Sequence, residues 1–246
     1  SWTEVADVPV TNLYNGMGSG TQTAAFYMGG QTASRVSTVY EWNGSSWTSG
    51  TAINTNRTNG GACGITTATV LFGGNAYRSP DTGATELWNG SSWTEVNDMN
   101  TAREANPGSG SVPTTICAGG IGASPSPGPA QALTELFDGT SWTEVSDLND
   151  SRWGGGCIGD SASALMFGGG PPSFGAAHEA TESWNGTSWT AVNDLNTQGR
   201  IMVGCGEASE ALAFARFHPS SGNYEETEAW NGTSWTEVND LSTGRF

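Results

Sequence analysis

One short cassette recurs along this chain at a nearly fixed interval. ATELWNGSSWTEVND from Ala84 returns as EWNGSSWT from Glu41, LFDGTSWTEVSD from Leu136, SWNGTSWTAVND from Ser183 and AWNGTSWTEVND from Ala229, and a half copy, SWTEVAD, opens the chain. Between the second tryptophans of successive copies, Trp2, Trp47, Trp93, Trp142, Trp189 and Trp235, the spacings are 45, 46, 49, 47 and 46 residues. A steady period in this range marks a supersecondary unit that buries its faces only against its neighbours, and propeller blades have this length. Each repeat reads in the same order: a Gly-rich segment such as GGACGI, an apolar run such as ATVLFGG, a variable loop, then TELWNG and SWTEV. That order predicts four short strands per unit. The Asn-Gly or Asp-Gly between the last two is a hairpin signal, because both residues tolerate positive φ between β-prone flanks.

The expected fold is therefore all-β, a propeller of about five four-stranded blades forming one domain over residues 1–246. Repeats start near residues 1, 46, 92, 141 and 188, and a partial repeat covers 234–246. Six SWT strands are one more than five blades need. Either the Ser1 to Asp7 strand or the Ser234 to Asp240 strand lies outside the ring, or the ends pair with another copy of the chain.

Features repeated in register carry a family resemblance. Gly doublets stand at Gly29-Gly30, Gly73-Gly74, Gly119-Gly120 and Gly168-Gly169, an aromatic follows at Trp42, Trp88, Phe137, Trp184 and Trp230, and then come a Trp and an Arg. Arg57, Arg103, Arg152 and Arg245 lie ten residues after their Trp, and Arg200 lies eleven after Trp189. In these respects the chain resembles the kelch family of β-propellers. It departs from that pattern in its short aromatic-to-Trp turn, in Ala215-Arg216 at the fifth doublet, and in having five full units. The acidic, Lys-free repeats with their WNGSSWT cassettes also resemble repeat proteins encoded by marine bacteriophages. That second resemblance implies an extracellular or virion-surface fibre or adhesin component.

Charge and composition exclude several roles. The net charge is -16, with eight Arg and no Lys, so the surface repels phosphate backbones and anionic membranes, and no nucleic-acid partner is expected. No apolar run is long enough to span a bilayer as a helix. Cys63, Cys157 and Cys205 fall at nearly the same place in three repeats while Cys117 sits in another strand, and all four are expected as small buried thiols. No CxxC pair or Cys and His cluster points to a metal.

Two sets of candidate residues follow. Glu86, Glu135, Glu182 and Glu228 each precede their third-strand aromatic by two residues, so they recur with the period of Arg57, Arg103, Arg152, Arg200 and Arg245. The pattern predicts a structural girdle of pairs between blades; a ring of guanidinium groups binding an anion is the other reading. The second set lies in the variable loops from Gln31, Asn75, Ile121, Gly170 and Phe217, which share the face of the blade connections. Variation confined to one face of a constant scaffold is how binding surfaces are built, and the resemblance to kelch proteins implies partner binding through such a face. The candidate ligand-binding residues are Tyr77, Arg78, Trp153, Phe174, His178, Phe217, His218 and Tyr224.

Enzyme readings fare poorly. FDGTSWT is one residue short of the sialidase Asp box, and no Arg triad with a Tyr and Glu pair accompanies it. Galactose oxidase, implied by the same scaffold, needs two His and a Tyr crosslinked to Cys, whereas His178 and His218 stand in loops without a ligand motif. The expectation is a noncatalytic protein with no cofactor or metal that binds a surface glycan or protein receptor through its loops, with homo-oligomers or larger assemblies allowed. The alternative is an interaction scaffold assembled through the surplus terminal strand.

Overall fold

The computed structural model describes residues 2–76, 81–122, 128–171, 177–218 and 222–244. It is a five-bladed β-propeller with no helix among those residues, built from five four-stranded antiparallel sheets over 17–49, 61–96, 108–144, 156–191 and 203–238. In the first blade the strands are Met17–Thr21, Ala24–Met28, Val39–Trp42 and Trp47–Ser49, hydrogen-bonded in chain order. The fifth uses Val203–Glu207, Glu210–Phe214, Thr227–Trp230 and Trp235–Val238. The last SWT copy is thus the fifth blade's own outer strand, and the surplus copy is the one at the N-terminus.

The WNG segments form the hairpin that the sequence predicts. Asn43 Oδ1 accepts the backbone N–H groups of Ser45 and Ser46 at 3.0 and 2.9 Å, and the same turn forms at Asn89, Asn185 and Asn231. Asp138 makes it too, with both bonds at 2.8 Å. An Asx acceptor and a following Gly at positive φ, 88 to 94° in all five copies, are what this turn requires. The hairpin sets the flanking rings in tilted contact, with centroids 5.4 Å apart and planes inclined at 47° and 41° for Trp42–Trp47 and Trp88–Trp93.

These ring pairs fill the seams between blades. In each second strand, the residue before the doublet and the one two earlier face the next blade, and the residue between them faces the previous one. Phe26 and Met28 accordingly pack with Leu71, Trp88 and Trp93; Val70 and Phe72 with Cys117 and Trp142; Ile116 and Ala118 with Met166 and Trp189; Leu165 and Phe167 with Ala213 and Trp235. The contacts repeat closely, with Phe72–Trp142 and Phe167–Trp235 both at 4.9 Å between centroids. The outer Trp also closes a polar bond across the seam. Its indole N–H donates to Thr85, Thr134 and Thr181 Oγ1 from Trp142, Trp189 and Trp235.

Four seams are closed in this way. The fifth, between blades 5 and 1, is spanned by no buried cluster among the described residues.

The cysteines depart in part from expectation. Cys63, Cys117 and Cys157 are buried and all four thiols are free, but Cys205 is exposed. Cys63 and Cys205 pair across their hairpins with Val70 and Leu212, whereas Cys157 pairs with Met166. Cys157 is therefore one residue out of register and points toward the opposite neighbour, since side chains alternate along a strand. Burial pushes the Cys63 thiol up to about 12. Native-state alkylation should accordingly modify one thiol quickly and three slowly, with Cys205→Ser removing the fast phase; mass spectrometry of partly labelled protein checks which residue reacts.

Candidate functional site: the loop face

Each blade connection pairs with the segment after the Gly doublet of the blade that follows it. Arg57-Thr58 pairs with Asn75-Ala76 and Arg103-Glu104 with Ile121-Gly122, and the bridges Tyr14–Gln31, Trp153–Gly170 and Arg200–Phe217 continue the series. Connections and variable loops therefore share one face. The doublet makes the close approach possible. Its second N–H donates to the carbonyl of the next connection, as Gly30 to Arg57 and Gly74 to Arg103, both at 2.9 Å. A Cβ on Gly73, at φ 62°, would lie 2.8 Å from the Arg103 carbonyl oxygen, so only Gly avoids both the strain and the clash.

Beneath this face lies a belt of ion pairs. Arg57 pairs with Glu86 at 2.5 Å, Arg103 with Glu135 at 2.8 Å and Arg152 with Glu182, and each of these side chains is at most 2% exposed. A buried ion pair is tolerated where further hydrogen bonds offset its desolvation, and for the carboxylates the connection supplies them. Glu135 accepts the Asn100 backbone N–H and side-chain amide at 2.8 and 2.9 Å, while Asn100 also donates to the Trp142 carbonyl at 3.0 Å. Asn149 and Asn196 repeat the clamp on Glu182 and Glu228. With every guanidinium of these pairs held by a carboxylate and sealed from solvent, they form no anion site at the channel mouth.

The fourth pair corrects the expected assignment. Arg216, not Arg200, holds Glu228, at 2.9 Å with both side chains at most 1% exposed. The extra residue before Arg200 puts Gly199 at the tenth position after Trp189. Arg216 fills the space left there: a Cβ on Gly199 would meet its side chain at 2.8 Å. The preceding Ala215 keeps the left-handed backbone of a doublet glycine, at φ 53°. The two irregularities of the fifth repeat, a late Arg and an Arg in the doublet, are one exchange. Read together in the sequence, they were the signal for it.

Arg200 is turned outward onto the loop face. Its guanidinium carbon lies 5.2 Å from the Trp153 ring centroid and 5.3 Å from that of Phe217, a guanidinium between two aromatic faces. Trp153, expected as an exposed contact residue, is instead buried at 8% exposure, packed with Ile121 and Ala130 and donating its indole N–H to the Pro171 carbonyl. It supports the face and does not present itself there. Phe217 and Tyr224 are half-buried, and the ribbon Arg216–His218 with Gly222–Tyr224 sets Tyr224 opposite Arg216. His218 lies on the same ribbon by its backbone, paired with Gly222. His178 pairs with Gly199, and partial burial with the nearby Arg152 charge lowers its pKa below the usual imidazole value. Blades 4 and 5 thus bring His178, Arg200, Phe217 and Tyr224 onto neighbouring loops. Tyr77, Arg78, Phe174 and Arg245 lie outside the described residues.

One aromatic was missed. Tyr14, 48% exposed, bridges to Gln31 on this same face and donates its hydroxyl to the Thr32 carbonyl at 3.3 Å. It sits in the first connection, where the repeat pattern is weakest. Among the described residues no group of three or more His, Cys, Asp and Glu side chains is arranged to hold a metal.

Comparison with known proteins fixes the architecture and little else. The chain is similar in fold to YjhT. It superposes on the structure titled "Structure of YjhT" with a TM-score of 0.81 over 98% of this chain and 87% of that one, at 13% identity. No protein-family model and no curated protein matches the sequence. At that identity the likeness speaks for the fold alone, so any function has to be argued from the loop face.

Proposed function

We propose that this propeller is a noncatalytic binding protein whose loop face recognises an uncharged surface glycan. The observation that carries the reading is the division of the molecule: strands, turns and ion pairs recur from blade to blade while the segments that differ most in length and chemistry gather where connections and loops meet. On that face Tyr14, Phe217 and Tyr224 offer rings for sugar stacking, and uncharged polar loop residues suit hydroxyl groups. The four buried ion pairs are neutral, so the net charge of -16 rests on the remaining residues. A surface so acidic disfavours sialylated or sulfated ligands over neutral ones. Kelch-like ancestry and a place on an extracellular or virion surface accord with the repeat composition, and several copies would add avidity to modest single-site affinity.

A glycan array probed with the multivalently displayed protein tests this. Neutral glycans should bind, and the Tyr77→Ala, Phe174→Ala, Tyr224→Ala triple variant should lose about tenfold or more of that signal while unfolding within a few degrees of the parent, since loop substitutions typically shift stability by about 1 kcal/mol or less. Silence across the array, or binding untouched in the variant, would hand the face to a protein receptor or a purely structural role.

A further inference from the structure

The open seam between blades 5 and 1 has the form of a place prepared for something specific. On its blade 5 side, Leu212 and Phe214 are half-buried where their counterparts Leu165 and Phe167 in blade 4 are fully buried. Val203 is 48% exposed, and the exposed Cys205 stands opposite Leu212. On its blade 1 side lie Trp42 and Gly44. A cleft of about 1060 Å³ runs between them, lined by Trp2, Trp42, Leu212, Thr227 and Val238 among others.

The N-terminal stretch occupies the outer rim of this wedge in a telling register. Trp2 meets Phe214 at 5.0 Å between centroids, as Trp142 meets Phe72 and Trp235 meets Phe167 at 4.9 Å. On the other side, the Trp47 indole N–H donates to the Ala6 carbonyl at 3.0 Å, as Trp93 does to the Thr51 carbonyl at 3.0 Å. Ala6 and Thr51 each stand four residues after their own Trp. Residues 2–7 therefore relate to both neighbouring blades as an outermost strand relates to blades before and after it, but among the described residues no strands lie inside it.

One unmatched polar group and the sequence pattern agree. Thr227 Oγ1 is buried and has no hydrogen-bond partner among the described residues, although its counterparts Thr85, Thr134 and Thr181 each accept an indole N–H from the next blade. In the sequence, Arg245 falls ten residues after Trp235, the register of Arg57, while the first repeat has Tyr40 where the others have their Glu. The pattern provides one arginine more than it provides glutamates to follow it.

We propose that the wedge between blades 5 and 1 is the seat of a sixth blade. Its outer strand is the chain's own 2–7 stretch, and its three inner strands are a polypeptide segment carrying this chain's repeat pattern, with a Glu two residues before the third-strand aromatic. Seating them places an apolar second strand over Trp42 and Trp47, covers Leu212, Phe214 and Cys205, and draws Trp2 inward to donate to Thr227.

The test joins a copy of residues 154–187 after Phe246, the register in which Phe246 answers to Trp153 and Ser1 to Ser188. In the extended protein, alkylation of Cys205 should slow by about tenfold or more, because the thiolate must reach the reagent through packed strands. The melting temperature should rise, and the added residues should resist a protease that removes an unstructured tail. Changing the appended copy of Glu182 to Gln should weaken all three effects. A second extension copied from residues 59–91 guards against one badly behaved insert. If the five blades stay folded in both proteins while Cys205 reacts at its original rate and the added residues are digested, the proposal is wrong. It is equally wrong if the unextended chain proves a dimer in which Cys205 is already protected, since the wedge is then an interface between copies.

Discussion

Arg216→Ala should unfold this protein far more readily than Arg200→Ala, although the spacing of the repeats gives Arg200 the better claim to a structural role. Removing Arg216 leaves the Glu228 carboxylate buried at 1% exposure without its counter-ion, and breaking such a pair from one side costs about 3–5 kcal/mol. For a domain of this length that amounts to a fall in melting temperature of about 10 °C. At Arg200 the loss is of stacking between Trp153 and Phe217, about 1–2 kcal/mol. Arg152→Ala should behave like Arg216→Ala. The double variant Arg152→Met, Glu182→Met should lose less than the two single losses added together, with a coupling of about 2 kcal/mol, because no lone charge is left behind. Chemical denaturation of these variants, of the single variants Arg152→Met and Glu182→Met, and of the parent measures all of this. Equal losses at positions 200 and 216 would mean that Arg200 shares the Glu228 site after all.

The second large effect separates a closed seam from the open one. Phe167→Ala removes a fully buried ring packed against Trp235 and should cost about 3–5 kcal/mol, the range for deleting an aromatic from a core. Phe214→Ala removes the corresponding ring of blade 5, which is half-buried and meets Trp2. Its expected cost is about 1–2 kcal/mol, in proportion to the smaller apolar area withdrawn from water. Thermal unfolding of the two variants beside the parent reads the difference directly. A large loss at Phe214 would indicate that solution conditions close the wedge, and repeating the measurement over a range of protein concentrations would show whether a second copy closes it.

Both predictions rest on residues whose type the sequence announces and whose consequence it does not. The Asn-Gly turns, the ring pairs they bring together, the Gly doublets and three of the four ion pairs follow from the repeat itself, because a propeller seam is a nearest-neighbour contact and identical units make identical contacts. The exceptions arise where one repeat differs from the others. A single extra residue before Arg200 moved that side chain from belt to loop face, and a one-residue slip at Cys157 reversed its neighbour. Period counting treats such shifts as noise, but in a strand one residue changes which face a side chain occupies.

The loop face was legible as a place and not as a surface. Trp153 reads in sequence like any exposed loop aromatic and is in fact a buried support for Arg200, while Tyr14, in a connection with little repeat character, is open to solvent. Burial of a loop residue depends on what the neighbouring blade lays over it, and no local pattern carries that information.

The sequence by itself determined the blade, its four strands, its turn chemistry and the number of complete units, because each is set by contacts within about fifty residues and repeated in register. Only the tertiary structure decided how the units meet around the ring. Whether the first and last blades touch depends on the angle added at each seam by the packing of side chains, and that sum left a wedge with Trp2 on its rim and Thr227 buried inside it, its hydroxyl without a donor among the described residues.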